Sequence, residues 1–293
     1  HIAAKEVNLP HPGERVAVLM ENHLDYLVAY HGTGRARAVF VPIVTQSKLP
    51  EIEYFISHAE PALLLVDGER WRGVAQAWAD GNPAFASLRH VWLAGDGRAP
   101  ELATLAAQLA NASAAPLDDA PSPEEPVAFM YTSGSTGRPK AVIHSHYTAV
   151  AQAEAVCNRM GYDAEDRLMT VFPLFHGNAL VWSALAAVWV GARVIVHRRF
   201  SASGFWASAR THGATEINLL LGAINMLLAQ PPRESDRDHP IRLVLANVTE
   251  PIHREFTARF GVDIVSTWAL AEGPLGTMTA PGHGYRAGEI GWP

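Results

Sequence analysis

Residues 131–142 read Y-T-S-G-S-T-G-R-P-K-A-V, and this stretch decides how the rest of the chain is read. Tyr131 closes an apolar run, Val127-Ala128-Phe129-Met130, which is short enough to be a buried strand. Six of the next eight residues are Thr, Ser or Gly: Thr132, Ser133, Gly134, Ser135, Thr136 and Gly137. Arg138 and Pro139 then lead to Lys140 and a second apolar run, Ala141-Val142-Ile143. Small residues let backbone N–H groups approach an anion closely, and hydroxyls add donors. Lys140 supplies a mobile positive charge at the end of the loop. The arrangement makes a good cradle for a polyphosphate.

Two commoner phosphate motifs are excluded. A Walker A loop needs G-x-x-x-x-G-K-[ST], whereas Arg138 and Pro139 separate Gly137 from Lys140 here. G-x-G-x-x-G is also missing from the stretch. A Ser/Gly-rich linker is the plain alternative, but linkers seldom sit between two strand-like apolar runs. The stretch closely resembles the phosphate-binding signature of the adenylate-forming superfamily, which comprises acyl-CoA synthetases, luciferases and peptide-synthetase adenylation domains. Its one departure is Ala141, where that family usually has Gly.

The 293 residues suffice for one large domain or two smaller ones with an ample core. With 48% hydrophobic and 18% charged residues the composition is that of an ordinary soluble protein. A net charge of −6 gives no nucleic-acid footprint. The lone Cys157 excludes an internal disulfide and fits a reducing compartment, so the cytoplasm is expected. The longest apolar stretch, Ala179 to Val190, is too short to span a bilayer and better suits a buried helix. No secretory signal is visible at the N-terminus.

Strand-length apolar runs alternate with helix-length segments almost throughout. Val16–Met20, Val39–Ile43, Ala62–Val66 and Val91–Leu93 read as strands, with helices at His23–Arg37, Pro50–His58 and Glu101–Leu109. After a Pro- and acid-rich stretch the rhythm resumes. Strands are expected at Leu168–Phe172, Ala192–His197, Glu216–Leu221, Ile241–Leu245 and Val262–Val265. Helices are expected at Asn178–Val190, Ser203–His212, Gly222–Ala229 and Pro251–Phe260. The pattern predicts two related α/β subdomains, each a mostly parallel sheet flanked by helices. We place the first at 1–115, a linker at 116–126 and the second at 127–293, with ligands beyond the carboxyl ends of the strands. His144 and His146, two apart on an expected strand, would share a face, but no third ligand is near in sequence, and they read as structural.

The resemblance assigns roles residue by residue. The loop from Thr132 to Gly137 and Lys140 would hold ATP, with Thr136 also at the metal. Phe172-Pro173-Leu174-Phe175-His176-Gly177-Asn178 resembles the superfamily's next motif, so His176 and Gly177 would line the carboxylate pocket. Amino-acid-activating relatives carry an Asp early in this region; Phe175-His176 stands here instead, which implies an acid without an α-amino group. Leu221 and Gly222 would line the acyl pocket, Gly222 leaving room for the substrate. Ala246, Asn247 and Val248 would lie against adenine, Asn247 bonding its amino group.

Trp268-Ala269-Leu270-Ala271-Glu272 corresponds to the family's Y-G-x-T-E. Trp268 would stack on adenine, and Glu272 would bind the Mg²⁺ that bridges phosphates. Ala269 narrows the acyl pocket by a methyl relative to Gly. Ala271 stands where a Thr hydroxyl would contact the α-phosphate. Residues 223–232 and 236–240 also look like the carnitine/crotonobetaine-type CoA ligases.

The resemblance therefore implies ATP-dependent activation of a small carboxylic acid to an acyl-adenylate, then thioester formation with CoA as co-substrate. Lys140, His176 and Glu272 are its expected catalytic residues. Neither nucleic acid nor a transmembrane segment is expected, and homodimer formation is left open. In full-length members a ribose-binding acid, a hinge and a C-terminal domain with the adenylating Lys lie beyond the segment that ends at Pro293. The chain alone is accordingly expected to be incomplete as a catalyst. The rival is a non-catalytic nucleotide- or acyl-binding relative, favoured by Ala271.

Overall fold

The computed structural model describes residues 11–113, 115, 117, 119–132, 137–272, 275–286 and 289–292. It divides into two compact units, 1–148 and 149–293.

The first unit begins with β1 (Arg15–Leu19), α1 (Leu24–Arg35), β2 (Val39–Pro42), α2 (Leu49–Ala59), β3 (Leu63–Val66) and α3 (Gly68–Ala79). It continues with β4 (His90–Leu93), β5 (Ala103–Thr104), α4 (Leu105–Asn111), β6 (Pro126–Thr132) and β7 (Lys140–Ser145). The seven strands form one sheet in the order β5-β4-β3-β1-β2-β6-β7. All neighbours are parallel except the β6–β7 hairpin. The central strands read as unbroken apolar runs because both faces are covered: Leu63, Leu64, Leu65 and Val66 are all fully buried. Leu19, Ile52, Phe55, Ile56, Leu64, Val66 and Trp71 pack into one core.

Three expectations shift here. The loop hairpin, placed at the start of the second subdomain, pairs instead on the edge of the first unit's sheet, through Phe40 opposite Ala128. Residues 101–109 are not one helix; Thr104 ends a short strand and caps α4 by accepting from the Ala107 amide at 3.1 Å. α3 was not foreseen. Its N-cap Asp67 accepts from the amides of Glu69 (3.1 Å) and Arg70 (2.8 Å), and its first residue touches the following loop. A Cβ on Gly68 would lie 2.5 Å from the Arg98 nitrogen, so only glycine fits there.

α5 (His146–Met160), also unforeseen, starts directly after β7, and the division between units falls in its first turn. His144 therefore sits on a strand and His146 on a helix, and the shared face expected for them does not arise. Ser145 and Thr148 cap the helix start reciprocally, each amide donating to the other's hydroxyl at 2.9 and 3.2 Å.

The second unit runs β8 (Arg167–Thr170), α6 (Gly177–Ala179), a π-helical stretch (Leu180–Leu185), α7 (Ala186–Val190), β9 (Arg193–Val196), α8 (Phe205–His212) and β10 (Glu216–Asn218). Then come α9 (Leu221–Leu228), β11 (Leu243–Leu245), α10 (Glu250–Phe260), β12 (Asp263–Val265), β13 (Thr267–Ala269) and β14 (Leu275–Met278). Five strands form a parallel sheet ordered β12-β11-β10-β8-β9, and β13 and β14 form a separate antiparallel hairpin. One face packs Met169, Val171, Phe205, Ile217, Phe256 and Phe260 into a core.

At the amino ends of these strands, Arg242 stands 3.0 Å from Asp166 and 2.9 Å from Glu216. Glu216 is 1% exposed, and neither carboxyl oxygen makes a hydrogen bond. Burial pushes its carboxyl up to about 9; the nearby Arg242 charge, itself half-solvated, offsets only part of that.

Candidate functional site

The loop that opened the reading is the tip of the β6–β7 hairpin. Thr132, the last residue of β6, pairs with Lys140, the first of β7. The two ends of the loop are thereby fixed across the ladder, and Lys140 leaves it exposed to solvent. Gly137 is exposed as well, and a Cβ there would meet nothing within 4 Å. Ser133, Gly134, Ser135 and Thr136 lie outside the described residues, and so does the expected metal role of Thr136.

Helix α2 braces this hairpin in a way the sequence reading missed. The Tyr54 hydroxyl donates to the Pro139 carbonyl at 2.7 Å, and the Arg138 guanidinium lies over the Tyr54 ring, 5.4 Å from its centroid. One turn on, His58 Nδ1 and the Tyr131 hydroxyl are 2.7 Å apart. Tyr131 packs edge-on against Phe55 at 4.8 Å, and burial pushes its phenol up to about 12. Tyr54 and His58 are four apart, hence on one helix face, but their partners lie 85 and 73 positions away.

In the second unit, the carboxyl edge of the sheet gathers most of the remaining residues. His176 is the N-cap of α6, its ring 4.5 Å from that of Phe175. The ring meets solvent, yet desolvation by surrounding protein lowers its pKa below the ordinary imidazole value, favouring the neutral form. A Cβ on Gly177 would meet nothing within 4 Å, and the same holds at Gly222. Space is therefore open beside both. Leu221 does not end a strand as expected: β10 stops at Asn218, and Leu221 is the first residue of α9, 40% exposed.

Ala246 follows β11 and is buried, and Val248 packs on the core. Asn247 is engaged within the protein. Its Nδ2 donates to the Thr267 carbonyl at 2.6 Å, and its Oδ1 accepts from the Thr267 amide at 2.9 Å. Both ends of the carboxamide thus hold β13, so Asn247 ties down the strand that carries Trp268. Trp268 is half-exposed, opposite Thr277, and a Cβ on Gly276 would fall 2.5 Å from its ring. Gly276 leaves room for the indole. Ala269 ends β13, and Ala271 and exposed Glu272 occupy the turn after it. Among the described residues no three His, Cys, Asp or Glu side chains cluster to hold a metal. No described helix is long and apolar enough to cross a membrane.

Comparison with known proteins gives these placements a family. A crotonobetaine/carnitine–CoA ligase of Shigella flexneri serotype 5b (strain 8401) is 28% identical over 276 residues, covering 91% of this chain and 52% of the relative. A sulfoacetate–CoA ligase of Cupriavidus necator is 30% identical over 288 residues, 96% of this chain and 54% of the relative. The chain thus spans about half the length of the curated relatives it matches. The crystal structure of the anthranilate CoA ligase AuaEII with anthranoyl-AMP superposes with a TM-score of 0.88 at 20% identity, over 97% of this chain and 55% of that one, a likeness of fold. The AMP-binding enzyme family matches residues 7–293, and the chain belongs to that family.

Proposed function

We propose that this chain is the nucleotide- and acid-binding part of an acid–CoA ligase. In that reaction a carboxylate attacks the α-phosphorus of ATP, releasing pyrophosphate and forming an acyl-adenylate. A CoA thiol then displaces AMP to give the thioester. The observation that carries the reading is the Thr132–Lys140 hairpin tip, held at both ends by the ladder and from the side by Tyr54. The relatives support it: a crotonobetaine/carnitine–CoA ligase and a sulfoacetate–CoA ligase align along nearly the whole chain.

Lys140 would offset charge on the outer phosphates, and a cation on a strand end held by the ladder contributes this without reorganising during reaction. Glu272 fits Mg²⁺, a hard ion usually held by one or two carboxylates together with substrate phosphates. Mg²⁺ would neutralise phosphate charge when bound. Neutral His176 would offer the substrate carboxylate a hydrogen-bond donor. Trp268 would give adenine a stacking surface. The absence of an acidic side chain at Phe175-His176 favours an acid without an α-amino group.

Calorimetric titration with ATP–Mg²⁺ tests the site. Lys140→Ala and Glu272→Ala should each weaken binding about tenfold, the scale of a charge-assisted contact. Wild-type affinity in both would remove the site from these residues. ATP–pyrophosphate exchange by the chain extended with a relative's C-terminal region then separates the ligase from a second reading, binding without turnover, which Ala271 favours because it supplies no hydroxyl to the α-phosphate.

A further inference from the structure

The carboxyl edge of the second sheet holds a buried polar group that the roles above do not use. Met169 and Val171 point into the apolar core, so Thr170 between them faces the other way. Ile217 likewise points into the core and Asn218 away from it. The register Glu216 to Leu168 and Ile217 to Met169, continued one step, sets Asn218 beside Thr170.

Thr170 is 0% exposed and Asn218 2%. The Asn218 Nδ2 donates to the Ser183 hydroxyl at 3.0 Å and reaches the Asn178 carbonyl at 3.5 Å. Two atoms of the group are buried with no hydrogen-bond partner: Thr170 Oγ1 and Asn178 Oδ1. A buried polar atom without a partner carries the full cost of its desolvation. Ser183 belongs to the π-helical stretch, a rare geometry concentrated at functional sites. Asn178 is two residues from His176, and open space adjoins Gly177 between them.

Resting on the ligase reading, we infer that the acid taken by this site carries a hydroxyl, which reaches Thr170 Oγ1 and Asn178 Oδ1 while its carboxylate stays at His176. Asn178 Oδ1 only accepts, whereas a Thr hydroxyl both donates and accepts, so a group with a donor and an acceptor satisfies both. A plain alkyl or aryl end would bury beside these atoms and leave them unpaired. Sites built to bond a hydroxyl reject analogues that lack it far more strongly than apolar pockets reject small additions.

The test compares isosteric pairs: 4-hydroxybutyrate with pentanoate, and 3-hydroxybutyrate with 3-methylbutyrate, titrated with ATP–Mg²⁺ present. The hydroxy acid of at least one pair should bind at least about tenfold more tightly. Thr170→Val and Asn178→Ala should each compress that ratio to within about twofold, with melting temperatures recorded to show that both variants fold. Equal binding within both pairs overturns the inference. So does an unchanged ratio in both variants, the result expected if an internal water alone serves the two atoms. ATP that binds while every acid of the panel fails also overturns it. Failure of ATP itself to bind, measured first and without acid, would instead strike the ligase reading.

Discussion

The Tyr54 hydroxyl holds the Pro139 carbonyl at 2.7 Å, one residue before Lys140. A side chain on α2 therefore fixes the backbone from which the loop's cation projects. Rigid support of this kind matters because small misplacements of a charged group are steep in rate and affinity. Tyr54→Phe should lower ATP–Mg²⁺ affinity about fivefold, the worth of one neutral hydrogen bond of ~1 kcal/mol. Melting temperature should change little, since the ring keeps its packing. Calorimetry on the variant decides: an unchanged Kd would mean that the brace does not orient Lys140.

Asn247 bonds both backbone groups of Thr267. Asn247→Ala leaves that amide and carbonyl without these partners, and stability should fall by about 1–3 kcal/mol. Chemical denaturation reports the global loss. Hydrogen exchange at the Thr267 amide should quicken more than exchange in the β10–β11 ladder. Equal acceleration everywhere would show that Asn247 does not specifically hold β13.

Much of the fold was legible because parallel strands buried on both faces are written as plain apolar runs, such as Leu63–Val66. α3 escaped because Gly68, Gly73 and its charged residues dilute the periodicity, leaving only Trp71 and Val74 to bury beside Gly68. The hairpin's sheet membership also escaped, because no local pattern says that Phe40 will neighbour Ala128, 88 positions away by the register of β2 and β6. At the site, the loop motif and the Phe175-His176 string were readable as linear motifs. Tyr54, His58, Thr170 and Asn218 were not, since their significance comes from partners distant in sequence. Asn247 was legible as polar, but its bonds to both backbone groups of Thr267 were not, because that partner lies 20 positions away.

Glu216 gives a pH signature. Desolvation raises its carboxyl in the folded protein to about 9 from a reference of 4.5. Its contribution to stability is therefore fully present below about pH 4.5 and declines as pH rises toward 9, where the unfolded chain has already released the proton. The limiting slope is about 1.4 kcal/mol per pH unit. Glu216→Gln mimics the protonated form, so it should flatten stability across that window and stabilise the protein near pH 8. Urea unfolding at pH 5 and pH 8 checks it; a variant as steep as wild type would show that Glu216 is not the group responsible.

On the proposed function, Phe175 and His176 would stand where amino-acid-activating relatives hold an α-amino group, and neither side chain supplies an anion. A thermal-shift screen with nucleotide present should show stabilisation by short carboxylic acids and none by the corresponding α-amino acids. Stabilisation by amino acids alone would reverse the assignment.

The ion cluster of Asp166, Glu216 and Arg242 stands at one end of the second sheet, and His176, Gly177, Leu221 and Gly222 at the other. Changes at well-separated positions without shared partners tend to add independently. The end proposed to bind the acid could thus change in sequence while the opposite end keeps its own balance of charge. A library confined to 176, 177, 221 and 222 would explore new acids on a scaffold whose folding it scarcely touches, and a lineage under selection has the same latitude.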